Sequence, residues 1–213
     1  EEANNQAEMQ NASKYILVYG ENWHQGVLGI VASKLLDQFN KPTIVISFLN
    51  SNGVGSARSI NGIDLGNIIL NAKQKKIILE GGGHAMAAGL KLDYKNLNNF
   101  KYFLNESFEK FDNHFFEKVI TYDLIISIND INHSFLNSLE KLQPFGKGNP
   151  EPYFIVSDLK IDSIKILKNK HILIFFENDL GEKIKGICFN CRGTILGDYI
   201  EKFRDYNFYF GCT

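Results

Sequence analysis

The sequence predicts an α/β domain built on a mixed sheet, followed by a mostly β domain of small-barrel or sandwich type. Three observations carry this expectation. Ahead of Phe115, short apolar runs alternate with stretches of helical periodicity, the pattern of strands and helices packed in layers. Beyond Lys118 the period shortens and turn residues recur every few positions. A chain of 213 residues with 44% hydrophobic content is long enough for two ordinary cores. The expected divisions are a connecting segment 1–14, a first domain 15–114 and a second domain 115–213.

Taken in order, Glu1 to Ser13 is polar and lacks proline and glycine, which suits an exposed helix or a frayed linker. Because the sequence begins without methionine, we expect a fragment that starts inside a connecting helix. Tyr15 to Tyr19 is short, aromatic and β-branched, and reads as a buried strand. Val27, Leu28, Ile30, Val31, Leu35, Leu36 and Phe39 recur at helical spacing and predict a core-facing helix ended by Lys41 and Pro42. Thr43 to Phe48 is the next strand, so strand, helix and strand form a βαβ unit with a parallel pair. Ile63, Leu65, Ile68, Ile69 and Ala72 mark a second helix, capped by Asn61 or Asp64 and ending in Lys73, Lys75 and Lys76. Ile77 to Leu79 delivers the chain into a glycine loop, and Ala87 to Leu92 leads out of it as a strand. Leu97, Phe100, Phe103, Leu104, Phe108 and Phe111 line one side of a closing helix, an aromatic stripe that reads as core.

In the second domain, Val119 to Ile128 predicts a strand and Phe135 to Leu142 a short helix. A loop follows whose path is fixed by Pro144, Gly146, Gly148, Pro150 and Pro152. Tyr153 to Val156, Leu159 to Leu167, His171 to Phe176 and Lys183 to Phe189 are strand-like segments, and Tyr206 to Thr213 opens a further one.

Charge and cysteine content exclude several classes. The net charge is −1, with 11 basic against 11 acidic residues up to Phe115 and 12 against 13 after it, so neither half is a basic module and any nucleic-acid contact must come from local patches. No apolar run is long enough to span a membrane and no signal-peptide pattern opens the chain. Three cysteines argue against a disulfide framework and for a cytoplasmic setting. Cys188 and Cys191 have the spacing of half a zinc site, with Cys212 as a third candidate, yet a second pair is missing and a packed thiol explains Cys188 as well. Asp123, Asp130 and Asp158 are scattered singly, so no metal site is expected in this chain.

Three stretches stand out chemically. Gly81, Gly82 and Gly83 leave backbone N–H groups uncovered and able to converge on an anion, with His84 at the rim as a donor of hydrogen bonds or protons. A tight turn with an exposed histidine is the plainer alternative. Gly55, Ser56, Ala57, Arg58 and Ser59 combine a planar guanidinium fork with two hydroxyls, a set suited to phosphate, although a single Arg58 also fits a surface ion pair. Trp23, His24 and Gln25 precede a glycine-rich helix start, and helix N-termini favour anions.

Together, WHQGVLGIVASKL, KPTIVIS, GSARS and GGGHAMAAG, in this order, resemble the accessory (DHHA1) domain of DHH-family phosphoesterases. LQPFGKGNPEP, from Leu142 to Pro152, narrows the resemblance to the RecJ-type single-stranded-DNA exonucleases, whose second domain is an oligonucleotide-binding (OB) barrel. The resemblance implies a hydrolase whose catalytic Mn2+ or Mg2+ is bound by a DHH domain absent from this chain, so that this portion alone has little or no activity. It implies single-stranded DNA as substrate, 5'-3' digestion, roles in DNA repair and recombination, and the DHH domain and a single-strand-binding protein as partners. His84 becomes the catalytic residue. Ser56, Arg58, Ser59, Gly81, Gly82, Gly83, His24 and Lys147 become substrate contacts, and Lys165, Lys168, Lys170, His171, Phe175 and Lys185 are candidates on the barrel. The alternatives are a DHH-family enzyme of short oligonucleotides or cyclic dinucleotides, or a noncatalytic nucleic-acid-binding module.

Overall fold

The computed structural model describes residues 1–10, 12–119, 121–146, 148–202 and 208–212, of which Asp158 and 208–212 are described without side chains. Two compact units, Glu1–Val119 and Ile120–Thr213, divide the chain. The first contains α1 (Glu2–Glu8), β1 (Ile16–Glu21), α2 (Leu28–Phe39), β2 (Thr43–Leu49), β3 (Asn52–Arg58), α3 (Leu65–Gln74), β4 (Glu80–His84), β5 (Ala87–Asp93) and α4 (Leu97–Glu109). Its sheet runs β1-β2-β3-β5-β4. The β1–β2 pair is parallel, as the crossover through α2 requires, and the remaining pairs are antiparallel.

Alternation along the strands splits the apolar residues between two cores. Leu17, Ile44, Ile46, Ala57, Leu90 and Leu92 point to one face, where they meet Leu65 and Ile69 of α3 and Phe100, Leu104 and Phe108 of α4. Ile16, Val18 and Val45 point to the other, under Leu28, Ala32 and Leu35 of α2 and Ala7 of α1. On this second face β4 and β5 stay exposed at Glu80, Gly82, His84, Gly89 and Lys91. The aromatic stripe of α4 is core as expected, with Phe108 stacked on Tyr15 at 5.0 Å between ring centres.

The structure departs from several of these expectations. The glycine triplet is not a loop: Gly81, Gly82 and Gly83 lie in β4 and pair with Leu90, Gly89 and Ala88 of β5. Gly55 to Arg58 of the GSARS stretch fall in a strand, β3, which the high glycine content of Asn52–Arg58 concealed and a turn through Asn50 and Ser51, both at positive φ, connects to β2. Val27 and Ile30 do not join the α2 core, Ile30 remaining 58% exposed.

The opening segment is neither frayed nor merely exposed. β1 is a terminal strand of the sheet, and two glutamines complete its outer edge as a neighbouring strand would. Gln6 donates to the Tyr19 carbonyl at 2.8 Å and accepts from its N–H at 3.0 Å, while Gln10 does the same with Leu17 at 2.9 and 3.0 Å. Gln10→Ala is therefore expected to cost about 1–2 kcal/mol in urea unfolding, because it strips a donor and an acceptor from a half-buried backbone. Asn4→Ala, whose side chain among the described residues reaches only Glu8, should stay within about 0.5 kcal/mol. Equal effects of the two would refute the edge-pairing role.

The second unit contains β6 (Leu124–Ile126), α5 (His133–Glu140), β7 (Phe154–Leu167), β8 (His171–Glu177), β9 (Lys183–Cys188), α6 (Ile195–Lys202) and β10 (Phe208–Cys212). The strands run β10-β7-β8-β9, with β6 parallel to the start of β7. No pairing among the described residues closes this array into a barrel. The two predicted strands between Tyr153 and Leu167 are one 14-residue strand whose register shifts between Ile161 and Ser163, the bulge at which a long strand bends. Of the predicted strand Val119 to Ile128, Ile120 lies outside the described residues and β6 is the part that forms among the rest, and α6 was not foreseen. Ile126, Phe154, Val156, Leu159, Ile161, Ile172, Ile174, Phe176 and Ile200 make its core.

Candidate nucleic-acid interface

Pairing register determines which side chains share a face of the first sheet. Arg58 pairs with Ala87, which pairs with His84, so the guanidinium and the imidazole belong to one row. With neighbouring strands about 5 Å apart, their Cα atoms are separated by about 10 Å. Ser56, Gly89 and Gly82 form the next row, and Val54, Lys91 and Glu80 the one beyond. All lie on the face that α2 leaves open over β5 and β4. The open face is thus a floor without side chains at Gly82 and Gly89, bordered by Arg58 and His84 on one side and the 2.8 Å Lys91–Glu80 ion pair on the other. Lys91 holds the Glu80 carboxyl below its usual range, so that row is charged but balanced.

Arg58 is held from below. Its Nη1 donates to the Ser56 hydroxyl at 3.2 Å and to the Ala57 carbonyl at 2.9 Å. Among the described residues no carboxylate lies within ion-pair distance of it, which removes the plain surface ion pair as its explanation. Its positive charge is directed at the open face with no internal counter-charge.

The turn after β4 is fixed by bonds from two other elements: Leu65 N–H donates to the Ala85 carbonyl and Ser59 N–H to that of Met86, both at 3.0 Å. His84 accepts from the Met86 N–H through Nδ1 at 3.3 Å, so a neutral ring carries its proton on Nε2 and presents a donor outward. Ser59 does not face this site. It is 2% exposed and donates its hydroxyl to the Ile63 carbonyl at 2.8 Å, bracing the chain between β3 and α3. His24 is exposed and caps the helical turn leading into α2, accepting from Gly26 N–H at 3.1 Å. Gly81 lies in β4 and turns to the core side, where a Cβ would run into Ile69 and Ile78. Lys147 lies outside the described residues. Gly89 is the residue that sequence reasoning missed as part of the floor. Its signal was present in the GGGHAMAAG run, but only the hairpin register sets it opposite Gly82.

In the second unit, β7, β8 and β9 present Lys165, Leu173 and Ile187 in one row, and Ser163, Phe175 and Lys185 in another. His171 extends the same face, its Nδ1 accepting from Asn190 N–H at 2.9 Å and its ring set edge-on to Phe189. Four of the six candidates therefore share a surface, whereas Lys168 and Lys170 belong to the turn that joins β7 to β8. Phe175 faces outward and Phe176 supplies the core, since alternation separates neighbours.

Residues 12–110 match the DHHA1 domain family and residues 122–209 the RecJ OB domain family. The chain is a DHHA1 domain followed by a RecJ OB domain. It is 32% identical over 190 residues to the single-stranded-DNA-specific exonuclease RecJ of Haemophilus influenzae, covering 86% of this chain and 33% of that protein. To RecJ of Bacillus subtilis it is 33% identical over 198 residues, covering 86% of this chain and 25% of that protein. It thus spans a quarter to a third of the curated relatives it matches. Its fold follows that of Thermus thermophilus RecJ solved with Mn2+, at a TM-score of 0.69, 21% identity, and coverage of 91% of this chain and 29% of that one.

Among the described residues of the DHHA1 and OB domains, no group of three or more His, Cys, Asp or Glu side chains is arranged to hold a metal ion. Asp123 accepts from Tyr153 N–H and Asp130 caps a turn through Ser127, so both serve the backbone. Asp158 and Cys212 have side chains outside the described set. In the OB domain Cys191 donates to the Cys188 carbonyl at 3.1 Å. Burial, and then the hydrogen bond with Cys191, push the Cys188 thiol up to about 12. At pH 8 iodoacetamide should modify Cys188 at on the order of a thousandth of the rate of an ordinary thiol, with the rate climbing as pH rises, because only the thiolate reacts. Peptide mass spectrometry across pH 7–10 reads this out, and rapid labelling at pH 8 would show the thiol to be ionised instead.

Proposed function

We propose that this chain is the substrate-gripping portion of a RecJ-type exonuclease that removes nucleotides from single-stranded DNA, in the 5'-3' direction, in repair and recombination. The observation that carries it is Arg58: a guanidinium anchored on Ser56, without a carboxylate partner among the described residues, in one row with the outward Nε2 of His84. Such a pair meets a phosphodiester with a planar fork and an imidazole N–H donor. In this reading Arg58 and Ser56 hold the phosphate near the cut, His84 donates to the scissile phosphate, and Gly82, opposite Gly89, lets the strand lie close to β4, while Gly83 alternates to the other row with Ala88 and serves the hairpin. The OB face with Lys165, Phe175 and Lys185 holds the strand further along by stacking and charge. Mn2+ or Mg2+ would be bound by a DHH domain outside this chain and would supply the activated water and leaving-oxygen stabilisation of phosphodiester hydrolysis. That domain, and a single-strand-binding protein, are the partners of this reading, and a cytoplasmic setting goes with it.

Anisotropy of a labelled single strand and its matching duplex across a salt series is the test. The chain should prefer the single strand, with affinity falling as salt rises. A preference for duplex, or salt-independent binding, would overturn the reading.

A further inference from the structure

Resting on that reading, we propose that Gly29 is a positioning residue for Arg58, its missing side chain seating the guanidinium against the first turn of α2. Most glycines of this domain are forced by the fold itself. A Cβ on Gly66 would stand 2.9 Å from the His84 carbonyl group, one on Gly81 2.6 Å from Ile69 Cγ2, and one on Gly53 2.6 Å from Phe48 Cε1. Gly29 differs. The three atoms nearest to a Cβ there are Arg58 Nη2 at 2.9 Å, Ser56 Oγ at 3.4 Å and Arg58 Cζ at 3.7 Å.

Glycine inside a helix is disfavoured relative to alanine. Gly29 lies within α2 without a positive φ, so helix geometry does not call for it. The three atoms nearest to the absent methyl all belong to the two residues assigned to phosphate. Arg58 is tethered through Nη1 to Ser56 and Ala57, while Nη2 occupies the space over Gly29. A methyl there would rotate the fork off the Ser56 hydroxyl and out of the row it shares with His84. Because the clash is with the flexible end of a side chain, the fold can absorb it but the arginine's aim cannot.

A double-mutant cycle tests this with the parent, Gly29→Ala, Arg58→Ala and the double variant, each bound to a labelled oligothymidylate. Gly29→Ala should unfold at or above the parent's Tm yet bind about tenfold more weakly, the loss that goes with one misaligned charge-assisted bond. In the Arg58→Ala background it should change affinity less than about twofold, because residues that act through one contact are not additive. An equal loss in both backgrounds, or none in either, overturns the proposal. If the parent fails to bind the oligonucleotide, the single-strand reading falls, and the crystal structure of Gly29→Ala then decides the positioning role. Arg58 displaced from Ser56 Oγ supports it, and Arg58 still within hydrogen-bond distance overturns it.

Discussion

Arg58→Ala is expected to weaken binding of single-stranded DNA about 10- to 100-fold, the range for hydrogen bonds that involve a charged group. The whole effect should come from the folded state's surface. Among the described residues Arg58 bonds to Ser56 and Ala57 beneath it and to no other, and it is half-exposed, so removing it leaves no buried group there without a partner. The slope of log affinity against log salt should also fall by about one, because one phosphate fewer is neutralised and its counterion is no longer released. Arg58→Lys should recover only part of the affinity, since an ammonium keeps the charge but not the fork that Ser56 and Gly29 orient. Unchanged affinity and salt slope in Arg58→Ala would remove this face of the sheet from the binding site.

Phe100→Ala carries the largest expected effect on stability. Phe100 is 0% exposed in the core between the sheet and α4, and truncating such a ring costs about 3–5 kcal/mol from lost transfer energy and the cavity left behind. Against a typical domain stability of about 5–15 kcal/mol, this lowers Tm severely. Tyr102, two positions along the same helix and 65% exposed, should tolerate alanine within about 0.5 kcal/mol. The fraction of Phe100→Ala that remains folded should bind DNA as the parent does. Loss of binding at unchanged Tm would instead make the aromatic row of α4 a stacking platform.

Much of this architecture was legible because its signals are local. The apolar periods of α2, α3 and α4, and the compact β-branched runs of β1 and β2, announce themselves within ten or so residues. β3 and β4 did not, because strand formation by Asn52–Arg58 and Glu80–His84 depends on neighbours in the sheet rather than on their own glycine-rich content. The ordering of the first helix escaped for a related reason: Gln6 and Gln10 are ordinary polar residues until the outer edge of β1 is set beside them.

The sequence by itself determined the family, since the order and residue types of the motifs that contain Arg58, Ser56, the glycine run and His84 carry that information. Only the tertiary structure decided how those residues are placed. Strand pairing is non-local, and a shift of one residue would send every side chain to the opposite face. The observed register puts Arg58 and His84 in one row, lays Gly82 beside Gly89 as bare floor, buries Ser59 in a bracing role, and brings Gly29 of a distant helix under the guanidinium.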